Sequence, residues 1–219
     1  MKKPLVDLRQ FRFSKLNDPQ FSHLKLLISW LVYFTMYFLT ERFIPYENCH
    51  VIHSPLDDFV PFCEWFVIPY VFWYALVFGS LFYFAIYNPD SFRNLQWYII
   101  ITQIVAMAVY IIYPNRQDLR PEVLPRENAL TAVISFLYSF DTSTNVCPSL
   151  HVAYSLGLAS VWLKEKDASR IWKVAVVMMV VLICLSTSFI KQHSVIDIVM
   201  ALPLGILAEI FVFHTRKKA

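Results

Sequence analysis

Residues 171–190, IWKVAVVMMVVLICLSTSFI, lead directly into the polar stretch KQHSVID at residues 191–197, and a second apolar run occupies residues 194–213. Each apolar run has about the 20 residues that a helix needs to cross a bilayer core of roughly 30 Å. Lipid offers the backbone no hydrogen-bond partners, so we predict that both runs are helices. Charged and titratable groups are costly at a membrane boundary, and their presence between the two runs indicates a functional site.

The same pattern of long apolar runs extends over the whole chain. Hydrophobic residues make up 58% and charged residues 16% of the 219 residues. We predict an all-α fold, a polytopic membrane protein with six transmembrane helices in a single membrane domain of residues 1–219. The predicted spans are 24–43, 65–87, 95–113, 148–163, 171–190 and 194–213. The first run is long enough to span and no small-residue cleavage site follows it, which predicts an uncleaved helix rather than a signal peptide.

Two long loops, at about 44–64 and 114–147, are predicted to hold the structure outside the membrane. Within the second loop, residues 128–140 are apolar enough to form a short helix at the interface. Pro148 suits the first turn of a helix, so we place the start of the fourth span there. The first loop also contains Asp57 and Asp58, which we interpret as part of a solvated loop or as a helix cap rather than as contacts to a lipid headgroup.

The cysteines provide no sign of a metal or redox site. Cys49, Cys63, Cys147 and Cys184 show no C-x-x-C spacing. Cys49 and Cys63 share a loop, where they either stay free or form a disulfide in an oxidising compartment.

The basic residues predict the orientation in the membrane. Fourteen of the 19 Lys and Arg residues lie in the two tails and in the loops after the second and fourth spans. By the positive-inside rule these segments, and therefore both termini, are cytoplasmic. The other five face outward and are Arg42, Arg116, Arg120, Arg126 and Lys191. A short chain whose polar site faces outward favours a bacterial plasma membrane.

Polar residues from three separate segments are predicted to meet on this outer face. They follow the third span, open the fourth at Ser149 and His151, and link the last two spans. On a helix that begins near Gln192, His193 and Asp197 lie at i and i+4, where the carboxylate can fix the imidazole tautomer and raise its basicity. Two histidines, a carboxylate, a hydroxyl and cations are the groups that phosphoryl transfer requires.

Each group has a predicted role in that chemistry. His193, oriented by Asp197, attacks phosphorus to give a phosphohistidine, and His151 protonates the departing alkoxide. Arg120 can bind phosphate oxygens with two parallel hydrogen bonds, and Lys191 can add a point charge.

Ser149 supplies a hydroxyl and nearby N–H groups at the positive end of a helix, where anions are favoured. Positioned cations and N–H groups can neutralise the developing charge themselves, so we predict no metal and no other cofactor.

Each motif taken alone is weak evidence. A Pro-Ser-Leu-His tetrapeptide can arise by chance at the start of a helix, and its histidine could simply bond a carbonyl. Aromatic clusters such as Tyr70, Trp73 and Tyr74 are typical of an interfacial belt or of the core. The joint occurrence of the three motifs on one face of a six-span protein is what supports a site.

The motifs Arg120-Pro121, Pro148-Ser149-x-His151 and His193-x-x-x-Asp197 resemble the three signature motifs of the type 2 phosphatidic acid phosphatase superfamily. The resemblance covers about residues 95–205, the predicted catalytic core. It implies a helical bundle shared with acid phosphatases and vanadium haloperoxidases, and metal-independent catalysis through a phosphohistidine at His193. It also implies that Asp197 supports this histidine, that His151 is the acid, and that Arg120 and Ser149 hold phosphate.

Three positions depart from the family pattern. Tyr113 stands where the first motif has a lysine, Leu150 where the second has glycine, and Thr187 where the third has an arginine. Arg116 and Lys191 are the candidates to replace the missing cations. The Pro-Ser-Leu-His motif and the lost arginine are similar to the branch that contains inositol phosphorylceramide synthases.

These observations favour a lipid phosphate phosphatase that hydrolyses a phosphomonoester or diphosphate lipid. The alternative is a lipid phosphotransferase that passes a phospho-headgroup to an alcohol, because water and alcohol use the same nucleophile and acid. A non-catalytic lipid-binding or transport protein is disfavoured because both His193 and Asp197 are present. The predicted partners are the lipid bilayer and a lipid phosphate, with no nucleic acid, and the oligomeric state stays open.

Overall fold

The computed structural model describes residues 4–216, and the structure is almost entirely helical. Its α-helices are α1 (Ile28–Phe43), α2 (Val67–Tyr87), α3 (Pro89–Ile112), α4 (Ala129–Phe140), α5 (Leu150–Lys164), α6 (Arg170–Phe189) and α7 (Val195–Ile210). A π-helical turn at Phe211–Thr215 extends α7, and 3-10 turns lie at Leu8–Gln10, Phe13–Lys15, Ser22–Leu27, Tyr46–Asn48, Pro55–Asp58 and Glu64–Phe66.

Within the described residues, five helical stretches are long and apolar enough to cross a membrane. They are Ser22–Phe43, Glu64–Tyr87, Pro89–Ile112, Arg170–Phe189 and Val195–Thr215. Together they confirm a polytopic all-α membrane protein and five of the predicted spans.

The start of α3 differs from the predicted start at residue 95. Helix α3 begins at Pro89, a residue that suits the first turn of a helix. The Asn88 side chain caps this end by accepting from Ser91 N at 3.2 Å. Polar residues in this first turn lower its hydropathy, so the prediction missed a start that the cap and the proline determine.

Helix α5, the predicted fourth span, is 15 residues long, which is shorter than the five membrane-spanning stretches. It packs against α2, α3, α6 and α7 and so lies at the centre of the bundle. A Cβ atom at Gly157 would lie 2.5 Å from the Tyr98 ring, so only glycine allows α3 to approach this closely. Pro148 does not belong to the first turn as predicted, because Ser149 is the N-cap and α5 begins at Leu150.

The two long loops fold together over one end of the bundle. Strand β1 (His50–Val51) pairs in parallel with strand β2 (Asn115–Arg116), a contact that the sequence did not predict. The predicted short helix of the second loop is confirmed as α4, which begins with an Asn128 capping box. Cys49 and Cys63 are both free thiols.

Candidate active site

The structure brings the three polar segments together at one end of the bundle. The backbone N–H of Ser149 donates to Asp197 O at 3.2 Å, which joins the start of α5 to α7. The Gln117 amide donates to Lys191 O at 3.1 Å, which joins the stretch after α3 to the link between α6 and α7.

His193 and Asp197 form a buried pair. His193 Nδ1 lies 3.1 Å from Asp197 Oδ2, and the backbone N–H of Ser194 donates to the same oxygen at 2.9 Å. Because a carboxylate only accepts, Nδ1 carries the proton and Nε2 keeps its lone pair. The pair therefore presents the imidazole in the tautomer that a nucleophile needs.

The local backbone around this pair differs from the prediction. The helix does not begin near Gln192 but at Val195, after the N-cap Ser194. The N–H groups of Gln192 and His193 instead donate to Thr187 O, at 2.9 and 3.0 Å, and so terminate α6. His193 reaches Asp197 across the N-cap of α7 rather than along a helix face.

Both histidines line a cavity of about 550 Å³, which we call the histidine cavity. Their ring centroids are 5.8 Å apart. The His151 ring packs on Tyr70 at 4.6 Å and on Trp73 at 4.2 Å between centroids. Its Nε2 is buried and has no hydrogen-bond partner within residues 4–216. Such an atom is costly to leave unpaired, so this nitrogen is available to a substrate.

The aromatic residues Tyr70, Trp73 and Tyr74 belong to this site as well as to the bundle core. The sequence predicted a belt or core role for them, but they form the wall against which His151 packs. Their spacing of three and four residues, which places them on one face of α2, was the available signal.

Ser149 is fully buried, and its hydroxyl faces its own helix. The Oγ accepts from Val152 N at 3.5 Å as the N-cap of α5. Among the described residues that line the histidine cavity are Leu150 and His151, while Ser149 lies behind them.

Arg120 does not line the cavity itself but donates hydrogen bonds to residues that form its wall. Its guanidinium donates to the carbonyls of Tyr138 (3.1 Å), Asp141 (2.8 Å) and Thr142 (3.0 Å), and it also donates to Gln192 Oε1. Gln192 lines the cavity beside His193. Burial lowers the pKa of the Arg120 guanidinium from its usual value.

Lys191 and Arg116 have protein partners outside the cavity. The Lys191 ammonium donates to Asp57 O at 3.0 Å and Val60 O at 2.5 Å, and burial lowers the pKa of this amine. Lys191 also has a left-handed backbone with φ of 55°, a conformation common at the end of a helix. Arg116 donates to Asp118 at 3.2 Å and to Tyr46 O at 2.8 Å.

Asp57 belongs to the site, although the sequence predicted only a solvated loop or a helix cap for it. It is a helix cap, one of the two interpretations left open, but it caps the distant α7 as well as its own turn. Its carboxylate accepts from Ser194 Oγ at 2.6 Å, Val195 N at 2.7 Å and Ser54 N at 2.7 Å. Asp57 thus holds the N-terminus of α7, immediately after His193.

We expect Asp57→Ala to destabilise the fold by about 3 kcal/mol, because it leaves buried donors unpaired at about 1–3 kcal/mol each. At about 2–4 °C per kcal/mol, the thermal midpoint in detergent should fall by several degrees. The matched control is Asp58→Ala, since the neighbouring Asp58 side chain is 67% exposed. Equal midpoints for the two variants would contradict the capping role.

Asn115 fixes the loop that precedes α5. Its Oδ1 accepts from Val146 N at 2.9 Å and Cys147 N at 2.8 Å, and its Nδ2 donates to Cys147 O at 2.9 Å. The side chain is fully buried. This residue therefore positions the start of α5 and with it His151.

Acidic side chains, but no lysine or arginine, occur among the described residues that line the histidine cavity. The acidic residues are Glu41 and Asp141. Burial raises the pKa of the Asp141 carboxyl above its usual value, and the nearby charges of His193 and Arg120 oppose this shift. Among residues 4–216, no group of three or more His, Cys, Asp and Glu side chains could hold a metal ion.

The raised pKa of Asp141 predicts a pH-dependent stability. The folded protein holds this proton more tightly than the unfolded chain, so the stabilisation is complete below about pH 3.8 and is lost as pH rises through the raised pKa. Asp141→Asn should therefore raise the thermal midpoint at pH 7.5, and the gain should shrink at pH 4. Asp90→Asn is the control, because the Asp90 side chain is 90% exposed. An increase in the thermal midpoint of Asp141→Asn that is the same at both pH values would contradict the predicted pH dependence.

Fold and site together define a helical integral membrane protein with a histidine and carboxylate site at one end of the bundle. The sequence profile of the PAP2 superfamily matches residues 95–219, more than half of the chain, and all three motifs lie inside the match. The chain belongs to the PAP2 superfamily, which confirms the resemblance to type 2 phosphatidic acid phosphatases. No curated protein and no solved structure was found to match the chain. Members of the superfamily are phosphatases or related phosphotransferases, which supports an enzyme of this kind.

Proposed function

We propose that the protein is a metal-independent lipid phosphate phosphatase that works through a phosphohistidine on His193. One observation carries the proposal: His193, paired with Asp197, and His151 line the same cavity with their rings 5.8 Å apart. A nucleophile whose tautomer is fixed and a second imidazole with a free nitrogen are the two groups that the reaction requires.

In the first half-reaction, His193 Nε2 attacks phosphorus with its lone pair. The P–N bond forms as the bond from phosphorus to the ester oxygen breaks. His151, which the negative charge of the bound phosphate favours in its protonated form, gives its proton to the departing alkoxide. Asp197 accepts the Nδ1 hydrogen bond and stabilises the positive charge that grows on the imidazole of His193.

In the second half-reaction, water attacks the phosphorus of the phosphohistidine. His151, now neutral, takes the proton of that water as the new P–O bond forms. The P–N bond breaks, inorganic phosphate leaves, and His193 Nε2 recovers its lone pair. His151 keeps the proton that it took from water and is therefore ready to act as the acid in the next cycle.

Arg120 is the cation that we propose for phosphate binding, because its guanidinium already contacts Gln192 at the cavity wall. It would exchange the contacts to Gln192 and Thr142 for phosphate oxygens. Ser149 would contribute through the N-terminus of α5, which it caps. Lys191 and Arg116 bind carbonyls and a carboxylate of the loops, so we attribute to them the positioning of the loops over the site.

The placement in the membrane is also part of the proposal. We propose α5 as a sixth, central crossing that the surrounding helices shield from lipid, since most of its residues are buried. The distribution of basic residues supports cytoplasmic termini and a site on the outer face of a bacterial plasma membrane.

A lipid phosphotransferase is the second candidate, and the charge of the cavity favours it. Because the described cavity lining contains no lysine or arginine, it suits a phosphodiester donor, with one negative charge, better than a doubly charged phosphomonoester. An alcohol would then replace water in the second half-reaction.

One assay of the purified protein separates the two candidates. Phosphatidate, a polyprenyl diphosphate, and phospholipid or sphingolipid donors are supplied in detergent without divalent metal, with and without inositol, ceramide or diacylglycerol as acceptor. Free phosphate without a new lipid supports the phosphatase, and a new lipid that needs the alcohol supports the transferase. Neither product from any donor would contradict both.

A further inference from the structure

Two cavities follow one another along the groove between α1 and α2. The first is the histidine cavity. The second, which we call the lower cavity, has a volume of about 900 Å³ and is lined almost entirely by apolar residues. These include Leu24, which precedes α1, Ile28 in α1 and Leu81 in α2. Trp30 and Phe78 line both cavities and therefore form the boundary between them.

Helix α1 presents one continuous face to the histidine cavity. Residues 30, 33, 34, 37, 38 and 41 all line it, and their spacing of three and four residues places them on one side of the helix. Five of the six are aromatic, and Glu41 ends the series on the side of Asp141 and Thr142. The cavity is thus polar at the histidine end and aromatic toward Trp30.

The rim of this groove is exposed and apolar. Phe34 and Phe38 of α1 are 55% and 65% exposed, and Phe78 of α2 is 52% exposed. In a membrane-spanning bundle these rings face the hydrocarbon of the bilayer. A lipid can therefore enter from the side between α1 and α2 without its chain passing through water.

Trp30 is held firmly at the boundary. Its indole N–H donates to Gln96 Oε1 at 3.2 Å, and the Gln96 amide donates in turn to Ser29 Oγ at 2.9 Å. The Trp30 ring lies 5.7 Å from Phe78 and 5.8 Å from Tyr154 between centroids. Gln96 is completely buried, where a broken hydrogen bond is costly, so Trp30 resists displacement.

We propose that the face of α1 from Trp30 to Glu41 binds one hydrocarbon chain of the lipid phosphate substrate, and that Trp30 and Phe78 limit the length of chain that fits. The inference rests on the proposed function, because it takes the phosphate end of the lipid to be at His193 and His151. The eleven-residue separation of Trp30 and Glu41 corresponds to about 16 Å of helix. A chain longer than this distance meets the Trp30 ring.

The test is a chain-length series of single-chain alkyl phosphates in mixed micelles, with kcat/KM measured for wild type and Trp30→Ala. The ratio of the two enzymes at each length cancels the partitioning of the substrate, because both enzymes meet the same micelles. Forcing extra methylenes into filled space costs about 1–3 kcal/mol, so Trp30→Ala should favour long chains over short ones by about tenfold or more relative to wild type. Phe78→Ala, on the other side of the boundary and half exposed, should shift the preference in the same direction.

Trp172→Ala is the matched control, since Trp172 lines a different cavity between α2 and α6. A preference that Trp30→Ala and Phe78→Ala leave unchanged while all enzymes turn over the series would overturn the inference and leave the proposed function intact. The same shift in Trp172→Ala would also overturn it. Absence of turnover on every chain length and on all the lipid donors of the preceding assay would instead count against the proposed function.

Discussion

Replacement of His193 by alanine is expected to reduce turnover by about 10⁴-fold or more, because removal of a covalent nucleophile costs nearly all of the catalysis that its partners support. The fold should persist, since the α7 N-terminus is held by Asp57 through Ser194 and Val195 rather than by the imidazole. The measurement is kcat on the lipid donor identified by the assay, together with the thermal midpoint. His193→Ala should lose the first and keep the second.

His214→Ala is the matched control for this loss. His214 is an exposed histidine in the turn that follows α7, at the end of the helix away from His193. It should keep full activity. Near-normal turnover in His193→Ala would contradict the nucleophile, and an equal loss in His214→Ala would point to a general sensitivity of the protein rather than to its chemistry.

Replacement of His151 by alanine is expected to lower kcat on a lipid phosphate by about 10² to 10⁴-fold, the usual contribution of a general acid. An alkoxide leaving group needs the proton, whereas a nitrophenolate leaves easily without it. The loss on nitrophenyl phosphate should therefore be much smaller, within about tenfold, as long as formation of the phosphohistidine limits the rate. The comparison of the two losses is the measurement.

His53→Ala serves as the control for this second prediction, because His53 pairs with Asp58 in an exposed loop. It should affect neither substrate. Equal losses on the lipid and on the nitrophenyl ester in His151→Ala would contradict the role of His151 as the acid and would favour a purely structural role against Tyr70 and Trp73.

The sequence predicts most membrane-spanning helices closely because long apolar runs have few alternatives in lipid. The fifth predicted span, 171–190, corresponds to α6 at Arg170–Phe189. Helix starts are less predictable, since they depend on local caps. Asn88 and Pro89 begin α3 within a polar stretch, and Ser194 moves the start of α7 beyond His193.

The motif spacing also predicts which segments meet. Successive helices run in alternating directions, and this brings the C-terminus of α3 and the N-termini of α5 and α7 to one end of the bundle. It does not reveal the partners of individual side chains. Ser194 and Asp57 are 137 positions apart, and no local pattern indicates that the carboxylate of one caps the helix of the other. The role of Asn115 depends in the same way on the loop at Val146 and Cys147.

Charge alone was the weakest guide to the site. Lys191 and Arg116 were expected to hold phosphate because they are cations near the motifs. In the structure their side chains donate to the carbonyls of Asp57, Val60 and Tyr46, partners that are distant in sequence and that charge alone does not reveal. The aromatic wall on α2 was interpreted as part of a belt or of the core, and its role in the site could not be predicted because its contact with His151 exists only in the folded bundle.

The stereochemical course at phosphorus tests the central claim most directly. A lipid thiophosphate made chiral at phosphorus with sulfur and two heavy oxygen isotopes is converted by the purified enzyme in ordinary water or with an alcohol, and the configuration of the thiophosphoryl group in the product is determined. Two successive in-line displacements, first by His193 and then by water or an alcohol, predict net retention of configuration. Net inversion would show a single displacement and would contradict the phosphohistidine at His193.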